Sequence, residues 1–263
     1  MRPCANVLAS QGRYRESLAL FDQTMTLARE LDRPVRIIQN YSTMPLRELF
    51  DLDEAKRRSE ESYEASLGLP GWGMPRAMSA TDLVQTAILA RDLGEAEKFW
   101  KPLWRDPEEI PNDWTRWLVR GRLAAAQAEM ALLANNAEAA AEWARNAIEL
   151  AQPVHRLKYE VVARTLLGRA LLGLGKQAEA VAELKVATEL SDGLGSPAQR
   201  WPAWAALGEA LYASGDDKET ESAFANAGSI IHAMASDLPR EYAAKFMAAE
   251  QVREVLTRAP QRA

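Results

Sequence analysis

One cysteine, two histidines and no long apolar run: these scarcities narrow the reading first. Cys4 has no partner for an internal disulfide, so a reducing compartment is the expected setting. His155 and His232 stand far apart in the chain, and the lone cysteine is distant from both. A metal centre or a catalytic triad needs several groups that converge, so neither is expected. No stretch approaches the roughly 20 apolar residues that a bilayer-crossing helix needs. The opening MRPCANVLASQGRYRESLALF lacks the apolar core of a secretory signal. We therefore expect a cytoplasmic protein without membrane contact. Positive charge is also short, with 32 Lys and Arg against 37 Asp and Glu. A nucleic-acid surface would need a basic stripe, so no nucleic-acid partner is expected. Gly173-Leu174-Gly175-Lys176 looks like a phosphate loop, but it follows a helical pattern and lacks the spacing of either phosphate-binding motif. Its glycines belong to a turn, and no cofactor is expected.

What the chain has in quantity is Ala, Leu and Glu, with 48% hydrophobic and 26% charged residues, a composition that folds. β-branched runs are scarce, which points to an all-α protein. The clearest pattern lies in Arg164 to Asp192. Leu166, Leu167, Ala170, Leu171 and Leu174 make one apolar stripe at helical spacing. Gly175 ends that helix, because glycine takes the left-handed conformation without steric penalty. Ala180, Val181, Leu184, Ala187 and Leu190 make the stripe of a second helix. Forty residues on, Leu207, Gly208, Leu211, Gly215, Phe224 and Ala227 repeat Leu167, Gly168, Leu171, Gly175, Leu184 and Ala187. A small residue early in each second helix sets the register: Ser17, Ala55, Ala96, Ala140, Ala180 and Thr220, at spacings of 38, 41, 44, 40 and 40 residues.

This register predicts a single repeat domain over 1–263, with units near 1–32, 34–67, 76–104, 113–151, 154–192 and 197–236. An amphipathic helix over 239–258 follows, with Tyr242, Phe246, Val252 and Leu256 on one side, as the cap that an open stack needs. Pro45 is expected to break or kink the first helix of repeat two, and Asp53 to cap its second. The stretches 67–75 and 105–113 read as loops, Asp113 as the cap of a long helix, and Asp216-Asp217 as the start of another. The first helix of repeat one is short, so the chain reads as starting inside a helix. Its N-terminal face is then an apolar patch available for self-association.

Leu167-Gly168, Leu171, Gly175, Ala180, Leu184 and Ala187 resemble the tetratricopeptide repeat, as do Leu207-Gly208, Leu211, Gly215, Phe224 and Ala227. Repeat four matches through Ala128, Ala131, Ala140, Ala144 and Ala147, and the first three match in parts. The resemblance implies a right-handed superhelix (an α-solenoid) of about six antiparallel helix pairs plus a C-terminal capping helix. The extended units, and the ending SPAQRWPAWAALGEALYASGD with LPREYAAKFMAAEQVREVL, resemble the C-terminal helical-repeat regions of large bacterial signalling ATPases. Those include transcription regulators and ATPase-coupled adenylate or guanylate cyclases. That likeness implies a non-enzymatic regulatory arm whose partner is a protein or peptide in the concave groove, with an ATPase or cyclase module in a parent protein. It carries no catalytic residue. The Lys and Asn clamp by which some relatives hold chaperone C-termini is not evident.

In such stacks the first helices line the concave side. Arg122, Glu129, Arg169 and Glu209 lie off the apolar stripes of those helices and are the candidate groove charges, the arginines for a peptide carboxylate. Five of the eight tryptophans, Trp72, Trp100, Trp104, Trp114 and Trp117, crowd between residues 72 and 117. Trp114 and Trp117 join the candidate contact residues. Large rings at a stretched joint either fill it or grip a ligand. A small-molecule effector pocket at that joint is the alternative reading.

Overall fold

The computed structural model describes residues 2–67, 73–105 and 113–259, and among them every regular element is helical. The helices pair in chain order. Repeat one is α1 (Arg2–Ser10) with α2 (Tyr14–Glu30). Repeat two is α3 (Val35–Ile38), a 3-10 turn (Gln39–Ser42) and α4 (Thr43–Glu48), followed by α5 (Leu52–Ser66). Then come α6 (Gly73–Leu89) with α7 (Leu93–Arg105), and α8 (Asp113–Leu133) with α9 (Ala137–Ala151). The last pairs are α10 (Leu157–Gly173) with α11 (Gln177–Leu194), and α12 (Pro197–Ala213) with α13 (Asp217–Asp237). Two short helices close the chain, α14 (Arg240–Ala248) and α15 (Glu250–Arg258).

The turn inside each pair is the same object six times. Gly12, Phe50, Arg91, Asn135, Gly175 and Gly215 all have positive φ, between 56° and 78°. Each stands five residues before its register residue. In every turn the next residue's N–H reaches back to a carbonyl five residues earlier, at 2.8–3.1 Å, which satisfies an orphan acceptor at the helix end. The register residues Ser17, Ala55, Ala96, Ala140 and Ala180 are completely buried, so the spacing read from the sequence is the spacing of the closest helix contacts. Asp92, Asn136 and Asp216 follow the turn residue and accept from the backbone N–H three residues on, at 2.9–3.1 Å. In repeat two that position is Asp51, not Asp53, and its side chain makes no cap bond. Helix α5 starts two residues earlier than expected, leaving Asp53 in the first turn.

Phe50 and Arg91 hold a left-handed conformation that costs an L-residue about 1–2 kcal/mol. Arg91→Gly relieves that strain at the cost of a more flexible unfolded chain. We expect a net stabilisation of about 0.5–1 kcal/mol, read as a higher midpoint in denaturant. A midpoint at or below wild type would show that relief of backbone strain is outweighed by what the Arg91 side chain and the stiffer unfolded chain contribute.

Pro45 acts as expected. It sits in the first turn of α4, where its missing N–H is not needed. An unbroken helix would have aimed that N–H at the carbonyl of Tyr41, which lies in the 3-10 turn instead. Pro75 likewise lies in the first turn of α6, so that helix begins at Gly73, inside the stretch read as a loop. Asp113 starts α8, but its side chain, like those of Trp114 and Trp117, lies outside the described residues.

The chain divides into two compact bodies, Met1–Leu123 with Leu238–Lys245, and Ala124–Asp237 with Phe246–Ala263. In the C-terminal body, Leu166, Leu167, Ala170, Leu171, Ala180, Leu184, Ala206, Leu207 and Ala210 form one continuous core. Alanines at the crossings let the helices approach closely. The N-terminal body is more polar inside. The buried face of α5 is Ala55, Ser59, Ser62 and Ser66, and Ser79 of α6 donates to Ser62 at 2.8 Å.

The final segment is two helices rather than the single rod expected over 239–258, because Ala249 takes an extended ψ of 135°. Helix α15 packs on α13, with Val252 fully buried, and Gly228 has no Cβ where Ala259 comes close. This half caps the last pair. The segment Leu238–Lys245 instead belongs to the N-terminal body, where Lys245 Nζ pairs with the buried Asp51 Oδ2 at 2.7 Å.

Candidate functional site

The densest polar chemistry among the described residues lies in the N-terminal body, on the first helices of repeats two, three and four. Its hub is Asp82 of α6, with 5% of its surface exposed. The carboxylate is saturated. Oδ1 pairs with Arg47 Nη1 at 2.9 Å and with Arg122 Nη2. Oδ2 accepts from Asn40 Nδ2 at 2.9 Å and from the Thr43 hydroxyl at 3.1 Å. The half-buried Gln85, less than one helical turn further along α6, accepts from Arg47 Nη2 at 3.1 Å and from Arg122 Nη2 at 2.5 Å. The broken first helix of repeat two is what brings Asn40, Thr43 and Arg47 to face α6 together.

Burial pushes the Asp82 carboxyl up, but the two guanidiniums and the bonds from Arg122 and Asn40 outweigh it and hold it below the usual carboxylate range. Arg47 is pushed down, first by burial and also by the like charge of Arg122, with Asp82 opposing both. Two cations therefore press on one another across a single carboxylate. Glu48 lies further off, accepting from the Tyr14 hydroxyl at 3.0 Å, and its field on Arg47 is the weakest of those acting. Burial, then Glu48, pushes the Tyr14 phenol well up.

Of the groove charges read from the sequence, Arg122 is 5% exposed and paired with Asp82. Its position on α8 faces α6 rather than solvent. Glu129 of α8 and Arg169 of α10 are brought together in the C-terminal body. Burial raises the half-buried Glu129 carboxyl, and the exposed Arg169 partly offsets that. Glu209 goes elsewhere, to Arg258 Nη1 at 3.6 Å on the capping helix. Of the tryptophan-rich joint, Trp100 and Trp104 are described. They stack at 5.5 Å with Arg120 over Trp104 at 5.1 Å, and Trp100 Nε1 donates to the Leu123 carbonyl at 2.9 Å. These ties anchor α7 to α8. Both histidines are exposed. No group of three potential metal ligands occurs among the described residues, and no helix there is long and apolar enough to cross a membrane.

Sequence reading missed Asn40, Arg47, Asp82 and Gln85. The signal was present in α6, where Asp82 interrupts the run Ala77 to Ala90 on a side that also carries Gln85 at helical spacing.

No protein-family profile matches the chain, and no curated protein sequence is similar to it at a significant level. Solved structures do match. The Rap protein crystallised with competence and sporulation factor superposes at TM-score 0.66 and 14% identity, covering 98% of this chain and 73% of that one. A signal transduction ATPase with numerous domains and a tetratricopeptide-repeat sensor, from Pyrococcus horikoshii, gives 0.59 at 13% identity, covering 98% of this chain. This chain spans 36% of that protein. BtubC from P. vanneervenii gives 0.53 at 14% identity, covering 81% of this chain and 96% of that one. The fold is therefore an all-α helical repeat similar to that of tetratricopeptide-type solenoids. Within it the chain resembles the repeat sensor of that signalling ATPase and the repeat fold of the Rap protein.

Proposed function

We propose that the chain is a non-enzymatic scaffold that holds a protein or peptide segment on its first helices. In this reading it is a single repeat domain and the regulatory arm of a bacterial signalling or transcription-regulation protein, working in the cytoplasm. The observation that carries it is the placement of the polar side chains. Arg47, Asp82, Gln85, Glu129 and Arg169 all lie on first helices, the elements that repeat stacks of this kind offer to ligands. The likeness to a Rap protein crystallised with a signalling factor, and to a repeat sensor, supports the same reading. Panning the folded chain against random peptides displayed internally in a carrier protein tests it. Enrichment of a shared sequence is the expected result. A folded, monodisperse chain that enriches none, or that hydrolyses or cyclises nucleotides by itself, would overturn it.

A further inference from the structure

We propose that the segment Leu238–Lys245 is a releasable strap on repeat two and that Asp51 is its latch, a carboxylate that either holds Lys245 or caps α5. The first observation is an exception among the turns. Asp92, Asn136 and Asp216 stand four residues before their register residues, and each accepts from the backbone N–H three residues on, at 2.9–3.1 Å. Asp51 stands at the same place in repeat two and makes no such bond. Its backbone does not forbid one. Asp51 has φ −81° and ψ 66°, close to the −107° and 82° of Asn136, which does cap. Rotation about the side-chain bonds is all that the cap requires. The N–H that would receive it belongs to Glu54, in the first turn of α5, where no carbonyl of the same helix is in reach.

The second observation is what holds the carboxylate away. Asp51 Oδ2 accepts from Lys245 Nζ at 2.7 Å, and the Asp51 side chain is left only 7% exposed. Burial, then the charges of Glu241 and Asp51, push the half-buried Tyr242 phenol up, with Arg58 opposing and Asp22 adding to the rise. The strap therefore lies by α2 and α5, the second helices of repeats one and two. The third observation is that the hold is light. Leu238 is buried, but Arg240, Glu241, Ala244 and Lys245 are exposed. Helix α14 has nine residues, fewer than the roughly 12–15 that keep a helix formed by itself in water. An ion pair with one exposed partner and an N-cap are both modest contacts of similar strength. Two such contacts competing for one carboxylate make a two-state element that a binding event can tip. A partner that takes the strap leaves α5 capped, so the release is compensated within repeat two.

Amide hydrogen exchange on the full chain, resolved by residue, tests the latch. Lys245→Met removes the cation. The amides of residues 243–245 should then exchange about tenfold faster. The Glu54 amide should exchange about two- to fivefold more slowly, because Asp51 turns in to cap it. Asp51→Asn gives up the ion pair but keeps a capping oxygen, as Asn136 shows, so it should produce the same two changes. Asp51→Ala gives up both contacts, and the strap and Glu54 should both exchange faster than in Asp51→Asn or, for Glu54, than in Lys245→Met. An ion pair that merely adds stability would not slow Glu54 when it is cut. A Glu54 amide that is unchanged or faster in Lys245→Met, or strap amides unchanged in both Lys245→Met and Asp51→Asn, would overturn the proposal. Lys245 is half-exposed, so its variant is not expected to disturb folding, and the opposite movement of two amides in that one chain is decisive even if an Asp51 variant fails to fold.

Discussion

Asp82→Ala is expected to cost about 3–5 kcal/mol, the largest single loss in the N-terminal body. The carboxylate accepts from Arg47, Arg122, Asn40 and Thr43. Its removal leaves two guanidiniums buried against each other with no intervening charge. Nothing on α6 can replace it, because Gln85 neutralises no charge. For a chain of this size the loss corresponds to on the order of 10 °C in melting temperature. Calorimetry with the two bodies' transitions resolved would read it, and the loss should fall on the N-terminal body's transition. The pH dependence adds a second signature. Asp82 is held below its ordinary range, so it contributes stability above the unfolded carboxylate value and loses it as pH falls through the lowered folded value. The gap between wild type and variant should therefore persist at neutral pH and close only below about pH 4. A variant within 1 kcal/mol of wild type at neutral pH, or a gap that closes already near pH 6, would mean the cluster is hydrated and not the hub described.

The repeat was legible because it is written in small residues. Ser17, Ala55, Ala96, Ala140 and Ala180 are all completely buried, as small residues at close helix crossings are. Gly12, Gly175 and Gly215 announced their turns, since glycine is the usual residue at positive φ. Phe50 and Arg91 take the same conformation without being glycine, because the repeating hydrogen bond imposes it whatever the residue. The polar hub was illegible for a different reason. Asn40, Asp82 and Arg122 are separated by 42 and 40 residues, so each alone looks like a surface residue on an amphipathic helix. Only the register multiplied by the repeat length brings them together, and the break at Pro45 shifts that register in repeat two. The burial of Arg122 was illegible for a related reason. Distance from an apolar stripe does not distinguish a residue facing solvent, such as Arg169, from one facing the neighbouring first helix, such as Arg122.

Gly168→Ala offers the second large effect, and it tests the packing of the C-terminal body. A Cβ built on Gly168 lies 2.3 Å from Leu184 Cγ and 2.7 and 2.8 Å from its two methyls. Leu184 is completely buried, so its side chain has no free space to retreat into. Alanine would improve helix propensity by about 0.5–1 kcal/mol over glycine. The overpacking of about 1–3 kcal/mol must exceed that for the prediction to hold. We expect a net loss of about 1–2 kcal/mol for Gly168→Ala, and a larger one for Gly168→Leu, in urea unfolding. Gly208→Ala occupies the same position one repeat later and meets the Phe224 ring at 2.9–3.0 Å, so its loss should be smaller. The decisive measurement is the double variant. Leu184→Ala alone opens a cavity and should cost about 2–5 kcal/mol. Adding Gly168→Ala then places a methyl where Leu184 Cγ had been, so the second substitution should cost nothing or restore stability. Strict additivity of the two losses would mean that Gly168 and Leu184 do not share the crossing point that sets the spacing of the helix pair.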